Sequence, residues 1–310
     1  MAVVVPAADR GTLEPTLHSL REAVREASQY QIAVGVIVVD HPGAAAADWI
    51  LDAFPEFASI TWPASWHRAR AVTATVQRMV HWWGADSVLV LEASTTVAPA
   101  VLATVHHTVH RFEATGIFCL RPGPAPAGGT AAAVEARELA GLDAPLETLA
   151  ALRGRAGAPV VLRSDLLDAV GSLDPAYTTG LALADLVRRA GLRGWASAAL
   201  TVPISTGGVP SRTGSAADLL RDDLDFIATD PALPVAGIMR AARARLHCGA
   251  EHPRTVAAAL ARVLWRLPRL VRRRCEHRAI ALEAAVQAGR VPAPHGWRSR
   301  PWPIGWERDV

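Results

Sequence analysis

The chain contains no lysine. All 32 of its basic residues are arginine, and with the high alanine content this reads as codon bias, so no chemistry is attached to the preference. Cysteine is scarce too. Cys119, Cys248 and Cys275 form no CxxC pair and no His/Cys ligand spacing. That argues against a disulfide scaffold and a thiolate metal centre, and fits a reducing compartment. No window reaches the roughly 18 consecutive apolar residues needed to span a bilayer. The N-terminus enters a strand directly, with neither a basic segment nor a leader-type apolar stretch. The expected location is cytoplasmic, at most peripheral to the inner face of the cell membrane. No strand leads into GxGxxG or into GxxxxGK followed by Ser or Thr, which excludes the Rossmann dinucleotide and P-loop fingerprints.

What is present is a globular composition: 310 residues, 51% apolar, 20% charged, mean hydropathy +0.19. The net charge of +3 is unevenly placed. Between Arg240 and Arg278 eleven arginines face only Glu251 and Glu276, so the rest of the chain is acidic on balance. We divide the chain into an α/β domain over 1–235 and a basic helical extension with a Pro/Trp/Arg-rich tail over 236–310.

The organising stretch is Val88–Leu91, an unbroken apolar run that ends in Glu92-Ala93-Ser94. Such a run predicts a strand buried on both faces of a mostly parallel sheet flanked by helices. Ligands of open α/β sheets lie beyond the carboxyl ends of strands, which makes Glu92 and Ser94 candidates. The same pattern recurs at Ala2–Val5, stopped by Pro6, and at Ile32–Val39, ending in Asp40. Short strands are expected near Ile60, at 116–120 and from Pro159, and further ones at 194–196 and 200–204. Helices are expected over about 13–24, 45–53, 66–83, 99–112 and 181–190, the last stopped by Gly191. Another runs from Ser164, read as its N-cap, to Gly171. Residues 131–155 read as helical. A helix over 255–274 is split or kinked by Pro268.

The order of these pieces resembles a family 2 glycosyltransferase of the GT-A fold, over about residues 2–208. The resemblance rests on Val3–Pro6, Ile37-Val38-Val39-Asp40, Arg68-Ala69-Arg70, Glu92-Ala93-Ser94, Leu162-Arg163 through Gly171-Ser172-Leu173-Asp174, and Arg189-Ala190-Gly191. It implies transfer of a sugar from a nucleotide-sugar donor to an acceptor hydroxyl, on a small molecule, a secondary metabolite or a lipid-linked acceptor. Asp40 would hold the base, with Pro6, Asp9, Arg70, Glu92 and Ser94 around the donor. Arg10 belongs to the same first loop.

The sequence departs from the family at three places. The metal motif reads Glu92-Ala93-Ser94, with one carboxylate instead of two. The catalytic acidic segment falls on Thr179-Gly180-Leu181-Ala182. The histidine that closes the metal site is replaced by Ser205-Thr206. A divalent ion prefers carboxylate oxygens, so Glu92 is a weak ligand and a Mg²⁺ or Mn²⁺ requirement is doubtful. Arginine would supply the charge instead. A relocated base could come from Asp185, Asp222, Asp223 or Asp225. The competing reading is a degenerate transferase acting as a binding or membrane-surface scaffold.

In the extension, Arg262, Arg266, Arg269 and Arg273 form a stripe opposite an apolar face that includes Val263 and Leu270. Such a helix suits an anionic membrane surface or a partner. Nucleic acid is not expected, because no recognition motif accompanies the arginines. His67, His106, His107 and His110 stand at helix spacings but without carboxylates beside them in the sequence, so none is assigned as a ligand.

Overall fold

The computed structural model describes residues 1–40, 47–66, 68–123, 137–138, 159–174, 177, 181–206, 216–231, 234–248 and 253–287. Its centre is an eight-stranded sheet in the order β3-β2-β1-β4-β8-β6-β9-β7. The strands are β1 (Ala2–Pro6), β2 (Gly35–Asp40), β3 (Ala58–Thr61), β4 (Ser87–Val90), β6 (Thr115–Pro122), β7 (Arg137–Glu138), β8 (Val160–Arg163) and β9 (Ala196–Val202). The first four are mutually parallel, β8 runs against both neighbours, and β6 and β9 are parallel. Strands β5 (Thr95–Val97) and β10 (Ile204–Thr206) form a separate antiparallel pair.

The apolar runs are continuous because both faces of this sheet are covered. Val3 and Val5 face one core with Leu13, Leu17 and Leu20 of helix α1 (Arg10–Gln29) and Leu102 and Val105 of α4 (Val101–Arg111). Ala2 and Val4 face the other, with Val76 and Met79 of α3 (Arg68–His81), Leu166 of α5 (Ser164–Val170) and Leu186 of α6 (Leu181–Leu192). A short α2 (Ala47–Ala53) precedes β3. The path from β1 out to β3 and back to β4 puts the topological switch point between β1 and β4.

Several local expectations change. Ser164 does not cap α5 with its side chain; its hydroxyl donates to the Asp86 carbonyl at 3.0 Å. Gly171 does end α5, in the left-handed region at φ 79°. Helix α6 runs past Gly191 to Leu192, and the left-handed glycine that turns the chain into β9 is Gly194 at φ 83°. The two strands expected over 194–204 are one strand, β9, followed by β10. Within 131–155 the described pair 137–138 is strand β7 rather than helix.

The remaining helices are α7 (Ala216–Ala228), α8 (Val235–Cys248), α9 (Pro253–Trp265) and α10 (Leu267–Gln287). The split between α9 and α10 falls at Arg266, which leaves Pro268 in the first turn of α10, where its missing N–H leaves no extra orphan. An ionic network locks α10 onto the domain. Asp185 of α6 is fully buried and meets Arg188 at 2.8 Å, Arg189 at 2.9 Å and Arg273 of α10 at 3.1 Å. Arg273, itself buried, also pairs with Asp174, and Arg266 pairs with Asp225 of α7. Arg189 adds three hydrogen bonds to the carbonyls of Val170, Gly171 and Ser172, tying off the end of α5.

Burial alone would raise the Asp185 carboxyl, but Arg273, Arg189 and Arg188 hold it far below the usual carboxylate range. Nearby His277 is pushed down to about 4, first by burial, with its Nδ1 against the Thr229 carbonyl at 3.0 Å. Asp225 is pushed up to about 6, mainly by burial.

The network makes stability sensitive to one arginine and to acid. Replacing Arg273 with Met removes the buried guanidinium that bridges Asp174 and Asp185, and the expected loss is about 3–5 kcal/mol in urea unfolding. A loss under about 1 kcal/mol would show the network to be dispensable. His277 binds its proton more tightly unfolded than folded, so its contribution falls as pH drops from about 6.5 to 4, by on the order of 3 kcal/mol. Asp225 acts in the opposite sense between its ordinary value and about 6. Comparing wild type with His277→Gln across this range isolates the histidine: the variant should lack its share of the acid-side loss.

Candidate functional site

Three strand ends converge at the switch point. After β1 the chain continues through Ala7, whose N–H donates to the Val39 carbonyl at 2.9 Å, so the exits of β1 and β2 lie side by side. After β4, the Leu91 N–H donates to the Val4 carbonyl at 3.0 Å, extending the β1–β4 contact to the residue before Glu92. Pro6, Asp40 and Glu92 therefore share one edge of the sheet.

Asp40 is the last residue of β2 and is almost fully buried. Its carbonyl accepts from Trp62 N–H at 3.4 Å. The segment after it, 41–46, including Pro42-Gly43, lies outside the described residues. Asp9 caps α1. Its carboxylate accepts from the Thr12 N–H at 3.0 Å and from the Thr12 hydroxyl at 2.8 Å. Those two hydrogen bonds, the hydroxyl's first, hold its carboxyl below the ordinary value. Arg10 pairs with Glu14 at 3.3 Å and lies 5.2 Å over Trp49.

Glu92 begins a tight turn in which its carbonyl accepts from Thr95 N–H at 3.0 Å, with half-buried Ser94 inside the turn. The Thr16 hydroxyl donates to the Ala93 carbonyl and holds this turn against α1. Strand β5 then pairs with β10 so that Thr206 stands opposite Thr95 and Ser205 opposite Thr96. The topology thus brings Ser205-Thr206 beside the Glu92 turn, where the sequence resemblance put the missing histidine, and the residues there are hydroxyls.

The partner of Glu92 is Arg68, at the start of α3. Both side chains are about 30% exposed, at 29% and 31%. Burial raises the Glu92 carboxyl, and Arg68 only partly offsets it. Arg70, the arginine singled out from sequence, points elsewhere, 4.1 Å over the Trp66 ring. Residues two apart on a helix do not share a face, so only one of the pair can reach Glu92. The fit to a divalent ion is poor. One carboxylate, already paired to a guanidinium, stands among hydroxyl neighbours. Among the described residues no trio of His, Cys, Asp or Glu gathers around Glu92.

The sequence reading missed an aromatic array. Trp62 and Trp66 stack at 4.7 Å and 10°, Arg70 covers Trp66, and Arg78 lies 4.6 Å over Trp62. The Trp62 Nε1–H donates to the Thr75 hydroxyl at 3.0 Å. The available signal was Trp62-x-x-x-Trp66 in the short link between β3 and α3.

The acidic candidates for a base are committed elsewhere. Asp185 sits among three arginines, Asp222 is buried against Arg221, and Asp225 pairs with Arg266. All three carboxylates are buried within the helical packing. Asp223 is half-buried on α7. Of Thr179-Gly180-Leu181-Ala182, the first two lie outside the described residues, and Leu181 and Ala182 are buried at the start of α6. His67 also lies outside them.

The arginine stripe is divided: Arg266 and Arg273 turn inward, while Arg262 and Arg269 stay exposed. Arg273 and Arg266 turn inward to Asp185, Asp174 and Asp225, and Arg269 approaches Asp174 at 3.7 Å. Arg262 is exposed. The outward residues are Leu264, Trp265, Leu267 and Val271, with Trp265 87% exposed.

No family model matches the chain, and no curated protein matches it. Solved structures do. Residues 1–349 of TarS from S. aureus superpose with a TM-score of 0.52 at 12% identity, covering 93% of this chain and 91% of that one. The same protein in complex with UDP-GlcNAc superposes with a TM-score of 0.52 at 12% identity, covering 94% and 92%. With the strand order and the helices on both faces, this likeness shows that the chain has a GT-A-like glycosyltransferase fold with a helical C-terminal region.

Proposed function

We propose that the chain is a glycosyltransferase that binds a nucleotide-sugar donor at the β1–β4 switch point without a bridging metal, for transfer to an acceptor hydroxyl. The observation that carries this reading is the Arg68–Glu92 pair at the exit of β4. It puts a guanidinium beside the one carboxylate left of the metal motif. A diphosphate drawn to this edge meets a fixed positive charge, and Glu92 orients that charge. Buried Asp40 is the acceptor for a base N–H. TarS was crystallised in complex with UDP-GlcNAc, which makes a uridine donor the first to try.

Binding without transfer is a second reading, favoured by one observation. Three of the four carboxylates considered as a relocated base are held in ion pairs, while inverting transfer needs one within hydrogen-bond reach of the acceptor.

For the extension, we infer that its partner is an anionic membrane surface, met by exposed apolar side chains together with the outward arginines. Leu264, Trp265, Leu267 and Val271 are exposed, flanked by exposed Arg262, Arg269 and Arg272. A membrane-docked chain suits a lipid-linked acceptor. Among the described residues no helix is long and apolar enough to cross a bilayer.

Calorimetric titration with UDP, GDP and TDP tests the donor site. One nucleotide is expected to bind, with affinity changed less than about threefold by Mg²⁺, Mn²⁺ or a chelator. Arg68→Met should weaken it roughly tenfold to a hundredfold, the worth of a charge-assisted hydrogen bond, and Asp40→Ala should abolish base discrimination. Absence of binding to all three sinks the donor-site reading; binding with no nucleotide release from any nucleotide sugar selects the second. Sedimentation with phosphatidylserine vesicles tests the tail: Trp265→Ser should release the protein into the supernatant, and unchanged sedimentation rejects the membrane surface.

A further inference from the structure

The donor edge is one end of β4; a separate cluster stands at the other. Asp86 immediately precedes β4, roughly 20 Å of extended chain from Glu92. Helix α4 passes beside it and brings His106 and His110, one turn apart, to the same place. The carboxylate that the sequence did not offer to these histidines thus comes from far upstream, 24 residues before His110.

The geometry is close. The His110 Nε2 lies 2.9 Å from Asp86 Oδ2, and the two imidazole rings are 4.3 Å apart, edge to face. One ligand atom from each of Asp86, His106 and His110 falls within 4.8 Å of the others, the one such trio among the described residues. A second observation points to a ligand. The Nδ1 of His106 is buried and has no hydrogen-bond partner among the described residues, an uncompensated cost for a polar atom. Asp86 also faces the Met1 ammonium at 3.4 Å and the Ser87 hydroxyl at 3.0 Å, so an incoming cation would compete with both.

We propose that Asp86, His106 and His110 form a site for a borderline divalent cation, Zn²⁺ first among them, that clips α4 to the entry of β4. Two imidazole nitrogens and one carboxylate oxygen are a donor set that Zn²⁺ accepts, with water completing four-coordination. Bonds of about 2.0–2.1 Å imply ligand atoms roughly 3.3 Å apart in a tetrahedron. The side chains of His110 and Asp86 are 51% and 42% exposed and can rotate to reach that spacing. The site is structural and takes no part in the donor chemistry.

The test uses the tag-free full chain after chelator treatment. Co²⁺, titrated as a spectroscopic probe, should bind at one equivalent with the intense visible bands of a four-coordinate N/O site, and Zn²⁺ should bleach them. Zn²⁺ should also raise the melting temperature. His110→Ala and Asp86→Asn, both at exposed side chains, should each weaken Co²⁺ at least tenfold and remove the Zn²⁺ shift, with nucleotide affinity unchanged. Absence of a Co²⁺ spectrum, or a spectrum and a melting shift that survive both substitutions, overturns the site. Unchanged nucleotide binding in the same variants shows that they fold and keeps this outcome distinct from failure of the donor reading.

Discussion

Arg273 is the constraint on which the rest of the helical packing depends. A guanidinium almost free of solvent contact is tolerable only with full ionic compensation, and Asp174 and Asp185 supply it. Because Asp185 belongs to α6, Asp174 to the segment after α5, and Arg273 to α10, one side chain joins three parts of the chain. Arg188 and Arg189 extend the same network to α7 and to the carbonyl end of α5. Asp185 and Asp225, considered from the sequence as a relocated base, pair here with arginines of the C-terminal helical region.

At the sheet edge the charge pattern is the reverse. The strand exits still converge, because the order β3-β2-β1-β4 puts their carboxyl ends together whatever residues follow them. The charge carried there is one carboxylate paired to Arg68, with the hydroxyls of Ser94, Ser205 and Thr206 beside it. A fixed guanidinium can attract a diphosphate as an ion does, but it also carries hydrogen-bond direction and cannot be removed by a chelator.

Much of this was legible in the sequence. Val88–Leu91, Ala2–Val5 and Ile32–Val39 read as buried strands because they are short, rich in β-branched residues and bounded by turn residues. Their ends pointed to Glu92, Pro6 and Asp40. Local signals misled where two residues offered the same conformation: Gly191 and Gly194 both suit a helix end, and only packing selected the second. Ser164 is an ordinary cap by type, yet the Asp86 carbonyl claims its hydroxyl. The choice between Arg68 and Arg70 depended on the rotation of α3 about its axis, which a two-residue spacing does not reveal. The Trp62–Trp66 stack had a visible spacing, but no local rule turns it into a contact.

The amino-acid sequence by itself determined the strand–helix alternation, the buried sheet and the set of strand ends, because these follow from periodicity and from the need to bury apolar runs on both faces. It also determined that the run into the exit of β4 ends in a single carboxylate, Glu92. Only tertiary structure decided which charges meet: Arg68 with Glu92, Arg273 with Asp174 and Asp185, His110 with Asp86. These partners are separated by tens of residues, and ion pairing depends on distance in space and on exclusion of water, neither of which is encoded in local order.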